Sequence, residues 1–485
     1  MERGVEDASI GRDRWKLLVV LLVAIFMSLV GVSIVNVALP SIQQGLGASN
    51  AEIQWVLSGY ALTFGVILVT AGRVGDLYGR GALFIVGVAI FTLASIGSGL
   101  APDPLTLNIA RLAQGVGSGL MNPQAIGMIQ HYFHGSARAR AYGLFGSTVG
   151  ISVAAGPIFG GLLIAATGFE VGWRWTFFVN VPVGVVAIFL GCIWFPRPLL
   201  TRNTSQTRDL DPVGSLLLGL AVLAVLLPFV ESRENAWSWL LLPIGVALTW
   251  GWVAWERRHV RRGRSPMVDL AIFRTKSFAN GTLLITLYFF GVTSVWVLVA
   301  LYMQDGLGHT ALASGLVGLP GALLTVVTAN WAGRRVVRSG RRIVIVGMLS
   351  VLAGLASSIL VVQLQATSAV SEWWLLLTLA FIGGGQGSVI SPNQTLTLEE
   401  VPLRYAGSSG GVMQTGQRIG TSIGISIITS LAFIVLARSN WTTAMTVGFV
   451  AIAVVVLVAM GIAVYDLRIR KQNERRHGAW MPWRR

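Results

Sequence analysis

The 485-residue sequence contains one cysteine, Cys192, which excludes any internal disulfide. Lysine is nearly absent: Lys16, Lys276 and Lys471 are the only three, and arginine supplies the rest of the 36 basic residues. Charge of either sign is scarce, at 12% of the chain, against about 25% in soluble domains. Acid is missing where it would matter most. The run from Leu17 to Pro40 has no Asp, Glu, Lys, Arg or His, and its strongly polar side chains are Ser28, Ser33 and Asn36. No other long apolar run places Asp or Glu deep inside it; Asp211 and Glu256 stand at run ends, as do Asp103, Asp305 and Glu372. An intramembrane enzyme needs His, Asp, Glu or Cys converging near one face. His131 and His134 come nearest and have no embedded carboxylate or Cys partner in the sequence, so a catalytic reading and a metal site are both disfavoured.

What remains is apolar: 54% of residues are hydrophobic and the mean hydropathy is +0.70. A helix needs about 20 apolar residues to cross roughly 30 Å of hydrocarbon. Fourteen such runs stand near 17–39, 53–72, 82–101, 104–126, 140–164, 174–195, 212–230, 238–255, 278–303, 310–331, 343–363, 373–395, 406–436 and 442–465, the thirteenth interrupted by Gly and Ser. The chain reads as an all-α polytopic membrane protein whose first partner is the lipid bilayer. Arg12, Arg14 and Lys16 lead directly into the first run, so no cleavable signal peptide is expected.

A net charge of +16 and a pI near 11.1 invite a nucleic-acid partner. The placement of the charge argues against one. With fourteen spans, 31 of the 36 basic residues fall in the N-tail, the C-tail and the loops on one side; Arg257, Arg258, Arg261, Arg262 and Arg264 share one such loop. Arg111 and Arg418 lie within spans, and only Arg174, Arg233 and Arg438 fall near the opposite face. Positive residues mark cytoplasmic loops. Both termini are therefore expected in the cytoplasm, the arginine bias fits a bacterial source, and no nucleic acid is expected.

Transporters are often built from repeated helix sets, and this chain repeats weakly. AGRVGDLYGR (71–80) is answered by AGRRVVRSGRR (332–342), GVGS (115–118) by GQGS (385–388), and STVGISV (147–153) by TSIGISI (421–427). The order is kept and the offset drifts slowly from 261 to 274. Six helices thus answer six later ones, with two inserted between. Five segments follow: a cytoplasmic N-tail 1–16, an N-terminal bundle 17–195, a linker 196–276 holding two extra spans, a C-terminal bundle 277–465, and a basic C-tail 466–485.

Three motifs stand in this frame. Gly72, Arg73, Gly75, Asp76, Gly79 and Arg80 occupy the turn after the second span, where Asp76 and Arg80 can pair or cap helix ends. Arg111 lies seven residues into the fourth span, about 10 Å deep at 1.5 Å per residue, followed by Gln114, Gly115 and Gly117. A charge at that depth normally faces a bundle interior or a watery path. The fifth span carries Gly143, Ser152, Gly156, Pro157, Gly160 and Gly161, small residues that let helices approach closely, with a helix-breaking Gly-Pro.

Together these motifs resemble the major facilitator superfamily, and within it the fourteen-helix drug:proton antiporter branch. The resemblance covers nearly the whole chain and includes GWRWTFFVNVPVG (172–184) at the sixth span. It implies two pseudo-symmetric six-helix bundles plus two linker helices. It also implies a conformational latch at Gly72, Asp76, Gly79 and Arg80, proton coupling around Arg111 and Gln114, and an exporter motif on the fifth helix. Leu77 and Gly81 replace residues that are usually basic, and Ser152 stands where Gly is usual. The first helix resembles the branch's signature of an acid, a Ser or Thr, then NVALP. Ser33, Asn36, Ala38, Leu39 and Pro40 match, but Gly31 stands where the acid belongs. The expected proton carrier, and the anion that would attract cationic drugs, are missing.

The implied activity is multidrug-type efflux of hydrophobic or amphiphilic compounds by alternating access, without cofactor, driven by a proton gradient, in a monomer in the cell membrane. The alternative is export of lipid or another neutral or anionic amphiphile with weak or displaced proton coupling. Tyr60, Asn122, Tyr288, Trp296, Met413, Gln414, Gln417 and Arg418 are candidates for the substrate cavity. Two arginines and no carboxylate favour a neutral, zwitterionic or anionic substrate. Asp305 and His309, four residues apart near one span end, are the candidate displaced proton site.

Overall fold

The computed structural model describes residues 2–168, 170–200, 211–231 and 236–476. Its helices are α1 Glu2–Leu46, α2 Asn50–Tyr78, α3 Arg80–Leu100, α4 Pro104–Tyr132, α5 Gly135–Thr167, α6 Gly172–Phe178, α7 Asn180–Trp194, α8 Arg197–Leu200, α9 Pro212–Glu231, α10 Leu241–Arg261, α11 Lys276–Leu301, α12 Ala311–Ser339, α13 Arg341–Ala366, α14 Leu375–Thr397, α15 Ala406–Leu436 and α16 Trp441–Arg476. Among the described residues thirteen helical segments are long and apolar enough to cross a membrane, and α6 with α7 makes one of them. The fourteenth is α4, whose 29 residues bury Arg111, Gln114, Asn122, Gln124 and Gln130 and so fall outside a purely apolar criterion. The break in the sixth span falls at Val179, four residues after Trp175 and three before Pro182. Proline offers no N–H and its ring crowds the carbonyl four residues back, so the ladder opens there.

The helices run past the apolar boundaries at both ends. α1 is helical from Glu2. At the other end α16 runs to Arg476, beyond 465. Both extensions lack proline, so nothing in the sequence stops the helix at the apolar boundary.

Packing repeats along the chain. In the first half α2 and α3 pack on α4, and α1 packs on α5; in the second, α12 and α13 pack on α14, and α11 packs on α15. The seam between halves obeys the same rule, α2 against α15 and α5 against α12. The Gly- and Ser-rich α15 is continuous because its small residues are contact points. A Cβ at Gly411 would sit 2.6 Å from the Leu68 carbonyl, and one at Gly424 would collide with the backbone of Phe290. Close backbone approach of this kind is what holds helices together in lipid, where apolar burial supplies no drive. The inserted helices pack on each other, and α9 also lies on α2 and α15. There Leu62, Val222 and Leu226 form a small cluster with Trp55, Val66, Leu218 and Ile419.

Candidate functional site

Several hydrogen bonds between the halves surround the turn between α2 and α3. Asp76, buried at the foot of α2, accepts from the backbone N–H of Gly407 and of Ser408, both at 3.1 Å, and from Arg80 Nε at 2.9 Å. Gly407 and Ser408 lie in the first turn of α15, whose unpaired N–H groups and positive dipole end suit an anion. Gly79 at φ +106 separates α2 from α3, which Arg80 opens, and Arg80 Nη2 donates to Leu403 O at 3.0 Å. A Cβ at Gly72 would stand 2.5 Å from the Gly407 carbonyl, so only glycine admits this approach. Nearby, Gln130 donates to Leu398 O at 3.0 Å.

Arg111 is fully buried in the first half. Nε donates to Val56 O at 2.7 Å, Nη1 donates to Gln114 Oε1 at 2.8 Å and reaches Gly31 O at 3.5 Å, and Nη2 has no partner. Gln114 passes the chain on, donating to Ser95 Oγ at 2.7 Å. The space an acid would need at residue 31 is taken by an aromatic ring. A Cβ on Gly31 would lie 3.1 Å from Phe91 Cζ and 3.9 Å from Asn180 Nδ2. An aspartate there would have to displace Phe91.

The cation in the second half is placed differently. Arg418 lies over the Phe64 ring at 4.3 Å, and Arg111 over the Tyr60 ring at 4.5 Å, while the two rings are 5.9 Å apart. Arginine, aromatic, aromatic, arginine therefore run from α4 through α2 to α15 across the seam. Neither cation pairs with a carboxylate among the described residues.

The other proposed lining residues are spread over several environments. The Tyr60 hydroxyl binds Ser118 at 2.6 Å and Ser28 at 3.1 Å, joining α1, α2 and α4. Asn122 donates to the Ser118 carbonyl of its own helix at 2.9 Å. Met413 is fully buried, Gln414 buried, and Gln417 half-buried. Trp296 packs on α12, where a Cβ at Gly321 would lie 3.0 Å from its Cη2. Tyr288 is buried with its hydroxyl unpartnered. Asn36 is exposed.

The α5 motif divides between two neighbours. Gly143 faces α12, where a Cβ would stand 3.1 Å from Ala329 O, and Ser147 Oγ donates to Val326 O at 2.9 Å. Beyond it α5 turns to α1: Ser33 Oγ donates to Ser152 O at 2.9 Å, a Cβ at Gly156 would strike the Ser33 hydroxyl, and one at Gly160 would touch Ile34 at 3.1 Å. A Cβ at Gly161 would meet open space. The Pro157 side chain lies outside the described residues.

The proposed Asp305–His309 pair is not formed. His309 Nε2 lies 3.0 Å from Glu372 Oε1, and Asp305 is exposed. The chain leaves α11 through a π-turn over Tyr302–Gly306 that separates the two residues, and the partner arrives from the start of α14, 63 residues away. A second cluster escaped sequence reading. Arg341, which aligns with Arg80 in the repeat, donates through Nε to Asp466 at 2.7 Å and through Nη1 to Asn393; Asn280 and Arg470 complete the shell of Asp466. The offset of 261 flagged Arg341, but Val337 stands where Asp76 would recur. The acid comes instead from the last helix.

Comparison with known proteins agrees with this architecture. The model of the Major Facilitator Superfamily matches residues 21–425. The chain is 34% identical over 435 residues to the probable actinorhodin transporter of Streptomyces coelicolor, covering 87% of this chain and 72% of that protein. It is 32% identical over 418 residues to the tetracenomycin C resistance and export protein of Streptomyces glaucescens, covering 85% and 75%. In fold it resembles the crystal structure of the human organic anion transporter MFSD10, with TM-score 0.68 at 12% identity, over 93% of this chain and 99% of that one.

Proposed function

The chain belongs to the Major Facilitator Superfamily, a family of membrane transporters rather than enzymes, and on that premise we propose that it exports amphiphilic compounds by alternating access. Its two halves, 17–195 and 277–465, rock about a central site, and the latch end faces the cytoplasm with both termini. The observation that carries this reading is the seam itself. Asp76 closes it at one end, and α5 and α12 meet through small residues that permit sliding. Export as the direction draws on the relatives, which are named as an antibiotic transporter and a resistance and export protein.

The substrate class we infer is neutral or anionic. The Arg111–Tyr60–Phe64–Arg418 ladder sets two cations against aromatic rings, with no carboxylate beside them among the described residues. A cationic drug would meet repulsion there, whereas an anionic group would gain charge-assisted hydrogen bonds. Proton coupling, if it drives the cycle, has to use a group other than residue 31. The lipid-like alternative has one observation of its own. An apolar cleft of about 180 Å³ lies between Phe26, Met27 and Val30 of α1, Phe159 of α5, and Val179, Asn180 and Val183. Phe159 is 46% exposed, so the cleft opens beside surface that faces the acyl chains.

Both readings are tested by uptake into inside-out proteoliposomes of matched anionic, neutral and cationic amphiphiles, with and without an imposed pH gradient. Anionic or neutral compounds should accumulate at least about tenfold above cationic ones, a difference of about 1.4 kcal/mol. Preferential accumulation of cations would refute the substrate class, and accumulation of phospholipid analogues alone would select the second reading.

A further inference from the structure

The inserted helix pair contains a fully buried acid. Glu256 on α10 is 0% exposed. Its Oε1 accepts from the indole N–H of Trp252, one turn earlier, at 3.0 Å, and from the backbone N–H of Val268 at 3.4 Å; the Met267 N–H also bears on the carboxylate, and Oε2 makes no hydrogen bond of good geometry among the described residues. A second acid lies on the adjoining helix of the pair. Asp211, buried at the foot of α9, accepts from the indole of Trp255 at 2.8 Å and from Gly214 N–H at 2.9 Å, and its charge bears on Glu256. His259, also buried, lies beside Trp255 with ring centroids 5.9 Å apart. Asp269, on the segment that follows, is bonded to Tyr405, and the neighbouring Arg257, Arg258, Arg261, Arg262 and Arg264 are exposed. A buried carboxylate with one oxygen unbonded and a second carboxylate nearby costs far more as an anion than as a neutral acid.

Glu256 is also wired to the seam. The segment it holds through Val268 continues at once into Asp269, which accepts the Tyr405 hydroxyl at 2.6 Å. Tyr405 immediately precedes α15, and its carbonyl accepts from Ser408 Oγ at 3.2 Å. Ser408 and Gly407 are the two residues whose N–H groups hold Asp76. Four short links thus lead from a buried acid in the inserted helices to the contact that closes the two halves.

We propose that Glu256 is a proton-exchange site, and that its protonation state reaches the α15 N-terminus through Val268, Asp269 and Tyr405. Gain of a proton removes a charge from the buried face of α10, and loss of it restores an anion that draws the Trp252 and Val268 N–H groups closer. Either change moves Val268, and with it the Asp269–Tyr405 clamp. The inserted helices then act as a proton-sensitive strap on the latch, on the side of the molecule where residue 31 does not act. The transport consequence rests on the export reading; the proton site itself does not.

Infrared difference spectroscopy between alkaline and acid pH, on the purified full chain in lipid, tests the site without any substrate. The wild type should show a carboxylic-acid C=O band that Glu256→Gln deletes. Glutamine keeps the Oε1 acceptor for Trp252 and Val268, and an unchanged melting temperature reports that the fold is kept. Asp211→Asn removes the neighbouring charge and should move the midpoint of that band, which gives a second reading should Glu256→Gln fail to fold. A band identical in wild type and Glu256→Gln, or an unmoved midpoint in Asp211→Asn, would overturn the site. In a transport assay Glu256→Gln and Tyr405→Phe should each flatten the pH dependence of the rate by about tenfold, while the Asp305→Asn, His309→Gln double variant leaves it unchanged. Full pH dependence in both single variants would overturn the link to the latch. Loss of the infrared band in a protein that transports nothing would fault the export reading and leave the site standing.

Discussion

Asp76→Asn should lower turnover at least about tenfold while membrane insertion and yield stay at wild-type levels. The carboxylate takes one N–H on each oxygen from the α15 N-terminus and holds Arg80 as well. Asparagine keeps one acceptor oxygen and turns an NH₂ toward Ser408 or Gly407, so a donor faces a donor. Hydrogen bonds to charged groups contribute about 1.5–3 kcal/mol each, and the charge at a helix N-terminus adds about 0.3–1 kcal/mol. Even about 1.4 kcal/mol changes an equilibrium tenfold, enough to depopulate the latched state and stall the cycle. The apolar spans are untouched, which is why insertion survives. Initial rates per mole of reconstituted protein, beside a size-exclusion profile, check this; wild-type turnover at normal yield would make the contact an ordinary turn.

Arg111→Ala should abolish transport within detection, and Arg111→Lys should restore only part of it. Alanine strips a donor from Val56 O and Gln114 Oε1 inside a fully buried site, and frees Gln114 from its position against Ser95. Each buried group left unsatisfied costs about 1–3 kcal/mol. Lysine restores a charge but not the planar fork that serves Nε and Nη1 in different directions. It also loses the flat stack on Tyr60, 4.5 Å away. Binding of a fluorescent anionic amphiphile separates the two roles of the residue. If Arg111 acts on substrate, affinity falls with rate in both variants; if it only positions helices, melting temperature falls and affinity per folded molecule does not. Wild-type rates in both variants would leave Arg111 without a part in the cycle.

The spans were legible because crossing a bilayer imposes length and apolarity on each segment separately. The same rule explains the weakest of them: α4 is a span made polar by Arg111, Gln114, Asn122, Gln124 and Gln130, and the residues that spoil its apolar signal are those that build the site. Latch residues could be read from the turn Gly72–Arg80, since its glycines and charges lie together in the chain. Their partner could not, because Gly407 and Ser408 are more than 330 residues away. The same reason separates His309 from Glu372 and Arg341 from Asp466. Gly31 shows a different limit. The sequence reports a missing acid, but only packing reveals that Phe91 fills the space. Glu256 stands at the end of an apolar run, where nothing local announces its burial; Trp252 and Val268, arriving from one turn back and from the following segment, close over it.

Alternating access requires the two ends of the molecule to move in opposition, and distances between spin labels report both ends at once. In a Cys192→Ser background, one pair at Tyr78 and Arg404 would report the latch end, and a second pair at Gln44 and Ser439 the opposite end; all four positions are exposed. Adding a transported amphiphile should lengthen the first distance and shorten the second within the same population, with Asp76→Asn favouring the lengthened first distance before any substrate is added. Two distances that lengthen together, or stay fixed while substrate is being transported, would contradict the rocking of two halves about a central site.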